Sequence, residues 1–443
     1  MRLHLRGIRV IDPAIDLDVS NRDVWIEDGR LIAIDHGPPG DDTAPIDLTP
    51  RAGEPECVLC PGFIDLHAHL REPGGDDVET VLSGAAAAAA GGFTTVVAMA
   101  NTRPPIDSPR RVQAAMRRNE EARVQVLQVA ALSRGLSGHR LTDVDGCLAA
   151  GATALGDDGR NAAHSPLLEQ ALRAAARHER PVFVHPEDEE AIARRAGRGA
   201  HLPVVAVRPP ETEVRAVQAA LDALEHAATG RLHLQHVSTE GAVDVLRQAR
   251  ERGVAVTAEV TPHHLTMQQS AMLPDDPLRK VNPPIREADG VEAVRAALIT
   301  GVIDAIATDH APHRASDKRL PYERAAAGMI GLELALPQLL SVPEFHALAL
   351  PRVIAALTVG PHRVLRDARV ALPRLGIDEP ATATLFDPGA EWDVTAATLR
   401  SRSRNTPLFG ARVRGRVLLT IASGTVVHMD HERLAPRMAV VHG

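Results

Sequence analysis

The stretch FIDLHAHLREPG (63–74) places His67 and His69 one residue apart. In an extended strand, residues i and i+2 project from the same face, so the two imidazoles would lie side by side. Imidazoles in that position can grip a metal ion. The plain alternative is a strand end whose polar residues meet water. His185 in PVFVHPED (181–188), His236 in RLHLQHVST (231–239) and Asp309 in IDAIATDHAPH (303–313) bear on the choice. Each sits at the polar C-terminal end of an apolar run. Taken singly, they read as structural histidines and a helix cap. Taken together, they form an imidazole-rich donor set that suits Zn2+ and exceeds the needs of one tetrahedral ion. Two ions would need an anionic bridge. A carboxylated lysine cannot supply it, because no lysine precedes Lys280, but ATALGDDG (152–159) offers Asp157 and Asp158.

Side chains from distant segments converge only if a scaffold brings one end of every strand together. Eight apolar runs alternate with Ala/Leu/Arg-rich helical stretches: 62–69, 94–102, 124–132, 152–159, 181–188, 231–239, 254–264 and 303–313. That count predicts a (β/α)8 TIM-like barrel over residues 58–365, with its functional residues on the C-terminal rim. A doubly wound open sheet is the rival, but no GxGxxG turn supports it. Both ends of the chain, 1–57 and 366–443, instead carry short strand-like runs separated by Gly, Pro and Asp. They are expected to build one small β-sandwich domain together.

Bulk composition limits the partners. The chain has 443 residues, 44% of them hydrophobic and 24% charged, with a net charge of −8. Aromatic residues make up only 2%, so no platform for stacking bases is available. Acidic balance without a basic run argues against nucleic acid and anionic membrane as partners. The start lacks the pattern of a signal peptide, and no apolar run is long enough to span a bilayer, so a cytoplasmic location is expected. Cys57, Cys60 and Cys147 do not make a disulfide framework. CVLC (57–60) has redox-motif spacing but lies in an apolar run, which favours a buried structural role.

Beyond these spacings, PGFIDLHAHLREPG, GGFTTVVAMANTRPP, GDDG, QHVSTEGAV, AEVTPHHL, VNPPIR, ATDHAPH and SRNTPLFG resemble, in order, bacterial dihydroorotases of the class I type in the amidohydrolase superfamily. The resemblance runs from about residue 10 to 425. It implies a two-zinc hydrolase that interconverts dihydroorotate and N-carbamoyl-L-aspartate in pyrimidine biosynthesis. It also implies ligand roles for His67, His69, Asp158, His185, His236 and Asp309, with Asp158 rather than Asp157 as the bridge alongside a hydroxide. By the same resemblance Arg71, Asn101, Asn282 and His313 bind the substrate. His263 and His264 are read as supporting residues, and 310–328 as a mobile loop over the site. A homodimer and an association with aspartate carbamoyltransferase are further expectations. The segment after REPG reads GDDVETV, without the lysine usual there, and AMANT stands where relatives have PMPNT.

The residue types fit the implied chemistry. Zn2+ lowers the pKa of bound water to about 7 and polarises carbonyls. An aspartate at Asp309 can take the nucleophile's proton and pass it to the leaving nitrogen. Arg71 has the planar fork that binds both oxygens of a carboxylate. Two alternatives share the fold: another cyclic amidase of hydantoinase or allantoinase type, and a non-catalytic partner of aspartate carbamoyltransferase. The first group typically bridges its metals with lysine, and the second typically loses ligands. This chain has neither trait.

Overall fold

A computed structural model describes residues 2–38, 43–160, 166–196, 207–270, 276–346 and 349–437. The two chain ends form one sheet. Strands β1 (Arg2–Asp12), β2 (Leu17–Glu27), β3 (Arg30–Ile34), β4 (Ile46–Asp47) and β5 (Val58–Pro61) come from the N-terminal flank. Strands β14 (Ala383–Asp393), β15 (Arg412–Ala422) and β16 (Thr425–Met429) return from the C-terminal flank. The order is β16-β15-β14-β5-β1-β2-β3, with β4 paired to β1. The two flanks meet where β5 pairs antiparallel with β14, from Pro61 opposite Ala383 to Val58 opposite Phe386. Alternating apolar residues on these strands, including Leu5, Val10, Ile26, Leu385 and Ile421, bury a separate core.

The barrel strands are β6 (Phe63–Ala68), β7 (Phe93–Ala98), β8 (Gln125–Ala130), β9 (Ala154–Gly156), β10 (Val182–Val184), β11 (Leu232–Leu234), β12 (Val256–Val260) and β13 (Ala305–Ile306). They follow chain order in one sheet, each parallel to its neighbour. Residues 58–61, placed in the barrel on sequence grounds, belong to the terminal sheet instead. They find antiparallel partners in β14, so the barrel begins at Phe63.

Closure comes from a parallel bridge between Ala68 and His310. The His69 amide also donates to the His310 carbonyl at 2.8 Å. Below it, the buried Asp65 carboxylate accepts from the Thr308 amide at 2.8 Å and the Thr308 hydroxyl at 2.7 Å. First and last strands are thus stapled by side chain as well as backbone.

Helix packing explains the alanine run after β6. Helix Val81–Ala90 starts with a reciprocal cap between Thr80 and Ser83 and buries Ala85, Ala87, Ala88 and Ala89. Small side chains let it lie close to its neighbours. At its end, a Cβ on Gly91 would come within 2.1 Å of the Leu332 carbonyl oxygen, so only glycine fits. Phe63 packs against Phe93 and Phe386, with ring centroids at 5.6 and 6.5 Å, and joins the barrel to the terminal sheet.

All three cysteines are buried and unpaired. Burial pushes the Cys57 thiol up to about 12. Among the described residues, no helix is long and apolar enough to cross a membrane.

Candidate metal centre and active site

Six donors meet at the C-terminal mouth of the barrel. His67 lies in β6 and His69 follows it, while Asp158, His185, His236 and Asp309 lie just beyond β9, β10, β11 and β13. The late strands are short because the chain turns away at these residues. His236 and Asp309 have φ of 35° and 45°, left-handed values that end a ladder and aim the side chain inward. All six donors are buried.

Asp158 reaches both histidine pairs. Its Oδ1 lies 3.2 Å from His67 Nε2, 3.5 Å from His185 Nδ1 and 3.9 Å from His236 Nε2. Its Oδ2 lies 3.4 Å from His69 Nε2. Asp309 Oδ1 is 3.0 Å from His69 Nε2 and 3.5 Å from His67 Nε2. His185 Nδ1 and His236 Nε2 are 2.8 Å apart. Two sets of donors are close enough to hold an ion, His67 with Asp158 and His236, and His67 with His69 and Asp309. Asp157 points elsewhere and accepts from the Ser133 amide at 3.0 Å.

This set fits a cation. His67 Nδ1 is engaged by Glu259 at 2.9 Å, which leaves Nε2 to face two carboxylates. Among the described residues, that nitrogen has no hydrogen-bond partner. A lone pair pointed at two anions is repulsive unless positive charge lies between them. The electrostatics agree. Burial alone would lower His67, but Asp158 and Asp309 raise it well above the ordinary imidazole value. His185 is raised to about 9 against its own burial by Asp158 and Glu187. Burial opposes ionisation of Asp309, yet His67 and His69 hold its carboxyl well below the usual range.

Several supporting residues were not singled out from sequence. Glu259, on β12, orients His67 and also contacts His233 Nε2 at 3.0 Å. Glu187 binds His185 Nε2 at 2.9 Å and is itself paired with Arg208. Both carboxylates are held near 2, because burial is outweighed by their imidazole partners and, for Glu187, by Arg208 as well. A carboxylate behind a ligating histidine fixes its tautomer and ring orientation. Their one sequence signal is an acid inside an apolar strand (AEV) or just after a histidine (HPED).

The expected substrate residues divide. Arg71, Asn101 and His313 line a cavity of about 180 Å³ beside the donors, together with Arg103 and Arg314. Burial lowers Arg71 to about 10, and burial followed by the Arg71 charge lowers His313 to about 3. The cavity therefore offers a cation and a neutral imidazole. Asn101 also serves the donors. Its Oδ1 is 2.9 Å from His69 Nδ1, and its Nδ2 donates to Asp158 Oδ2 at 3.1 Å. Asn282 lies outside the lining of this cavity. Its connection runs through Pro283, whose carbonyl is 3.0 Å from His264 Nε2. His263 Nε2 is buried without a partner among the described residues.

In the segment 310–328, expected as a mobile loop, backbone carbonyls are bound by two lysines. Lys318 Nζ donates to the carbonyls of Ala326 and Gly328 at 2.8 and 2.9 Å. Lys280 Nζ donates to those of Tyr322 and Glu323 at 2.8 and 3.0 Å. These are the chain's only two lysines. An ammonium carries three rotatable donors and can satisfy several carbonyls at once.

Comparison with known proteins gives a consistent result. The family described as Dihydro-orotase-like matches residues 56–240. The dihydroorotase of Anaeromyxobacter dehalogenans (strain 2CP-1) is 40% identical over 97% of this chain and 98% of its own. That of Aquifex aeolicus is 34% identical over 97% and 100%. Among solved structures, the L-hydantoinase of Arthrobacter aurescens superposes with a TM-score of 0.81 over 96% of each chain at 24% identity. The dihydropyrimidinase of Brevibacillus agri gives 0.80 over 97% of this chain and 95% of its own at 22% identity. The structural likenesses speak to the fold.

Proposed function

The chain belongs to the dihydroorotase family, and from that premise we propose that its six-donor mouth is a two-zinc centre serving the family's reaction. The enzyme hydrolyses the cyclic amide of dihydroorotate reversibly to N-carbamoyl-L-aspartate, a step of pyrimidine biosynthesis. The proposal concerns how these residues do it. It rests on one observation above the others: the buried His67 Nε2 faces Asp158 and Asp309 with no hydrogen-bond partner among the described residues.

In this reading His67, His69 and Asp309 would hold one ion and His185 and His236 the other, with Asp158 available to both. Zinc, when bound, supplies Lewis acidity toward the amide carbonyl and makes water acidic enough to act as nucleophile near neutral pH. Arg71 receives the substrate carboxylate through its two-pronged guanidinium, with neutral His313 beside it. Asn101 keeps His69 and Asp158 in register. Asp309, ionised in the resting site, takes a proton as water oxygen adds to the carbonyl carbon. It returns that proton to the ring nitrogen as the carbon–nitrogen bond breaks. A carboxylate with a low pKa releases the proton readily, which suits the second transfer.

Substitution Asp309→Ala is expected to lower kcat by about 10²- to 10⁴-fold. Unchanged turnover of dihydroorotate by that variant would overturn the mechanism. A substrate panel separates this activity from that of other cyclic amidases: dihydroorotate is expected to be turned over faster than hydantoin. We further propose a cytoplasmic homodimer that associates with aspartate carbamoyltransferase. Light scattering of the protein alone and with that enzyme reads both properties.

A further inference from the structure

The C-terminal segment Arg400–Asn405 crosses from the terminal sheet to the barrel mouth, where two buried carboxylates pin it. Glu333 accepts from the Arg400 amide at 2.6 Å and the Ser401 amide at 3.0 Å. Glu79 accepts from the Ser401 hydroxyl and from the Arg402 amide at 3.2 Å, while the Ser403 hydroxyl donates to the Val78 carbonyl at 3.0 Å. Glu79 and Ser401 are wholly buried. Burying a carboxylate is costly unless its oxygens are satisfied, so this arrangement tolerates little displacement.

Two links run from here to residues of the reaction. Glu79 Oε2 lies 3.3 Å from Nε2 of His310, and His310 Nδ1 accepts from the Gly331 amide at 3.1 Å. That acceptance places the His310 proton on Nε2, toward Glu79. His310 directly follows Asp309, whose left-handed backbone requires firm support. The second link is Asn405. Its Oδ1 accepts from the His313 amide at 3.0 Å, and its Nδ2 donates to the carbonyls of Ala311 and Gly328 at 2.9 and 3.2 Å.

We propose that this segment belongs to the active site as a positioning element with two separable outputs. Ser401 and Glu79 aim Asp309 through His310, and Asn405 aims His313 at the substrate carboxylate. The inference rests on the roles given above to Asp309 and His313. None of the three positioning residues touches substrate in this scheme. Geometry at the proton carrier governs the chemical step, and geometry at His313 governs binding.

The test compares kcat, KM and calorimetric binding of N-carbamoyl-L-aspartate in the zinc-loaded full chain. Glu79→Gln is expected to lower kcat at least about tenfold with KM and product affinity within about threefold. Ser401→Ala, a milder change that guards against misfolding of the first, is expected to move kcat the same way by about threefold. Asn405→Ala is expected to raise KM and weaken product binding at least about fivefold with kcat within about twofold. A loss of kcat and affinity by a common factor in all variants would overturn the proposal, since a merely structural role does that. So would folded variants that match the parent. Asp309→Asn and His313→Ala serve as references. If they lose turnover and affinity respectively while the positioning variants do not follow, this inference fails alone. If the references themselves keep parental constants, the underlying reading fails.

Discussion

His67 faces both Asp158 and Asp309 at the barrel mouth, and its support predicts a measurable effect. Glu259 holds its Nδ1 at 2.9 Å from a fully buried position. Glu259→Ala should therefore weaken zinc affinity about 10- to 100-fold, as read by competition with a chelator. Unchanged affinity would show that the pair serves packing only. Arg71→Lys should raise KM for dihydroorotate at least about tenfold, because a lysine cannot present two parallel donors to a carboxylate. At this scale the sequence was informative where a polar residue ended an apolar strand, as with His67, His69, Asp158, His185, His236 and Asp309. It was less informative for Glu187 and Glu259. Their importance comes from which histidine stands across the barrel, and periodicity carries no such information. Spacing alone leaves Asp157 and Asp158 open, since adjacent residues at a strand end differ in direction rather than in type, and the choice of Asp158 comes from the family resemblance.

The elements that carry these residues were legible as a pattern of alternation, and their ends were not. All eight expected strands occur in order, but β10 stops at Val184 and β13 at Ile306, short of the expected ends at 188 and 313. Left-handed backbone at His236 and Asp309 takes the chain out of the ladder. The segment over the site yields its own prediction. Burial, and then Lys280, lowers Lys318 from 10.5 to about 8. Between those values the unfolded chain keeps the proton and the folded chain does not, so stability should rise with pH from about 8 to 10.5. In Lys318→Met that rise disappears. Relative to the parent, the change amounts to at most about 3 kcal/mol across the window, read by urea denaturation. Parallel stability curves for the two proteins would contradict the buried-ammonium account.

At the scale of the whole molecule, two sheets and one site depend on each other. Phe386, on the terminal sheet, packs against Phe63 at the base of the barrel. Residues 400–405 run from the terminal domain to the mouth. Phe386→Ala should cost about 3 to 5 kcal/mol and lower the denaturation midpoint of barrel and sheet together. Two separated transitions would instead mean that the domains are independent. The proposed reaction requires metal at the six buried donors. The most direct test measures zinc content and dihydroorotate hydrolysis on the same preparation, before and after chelation and after zinc is restored. The expected result is about two zinc ions per chain, with turnover lost on removal and recovered on addition. Full turnover by protein shown to be metal-free would contradict it.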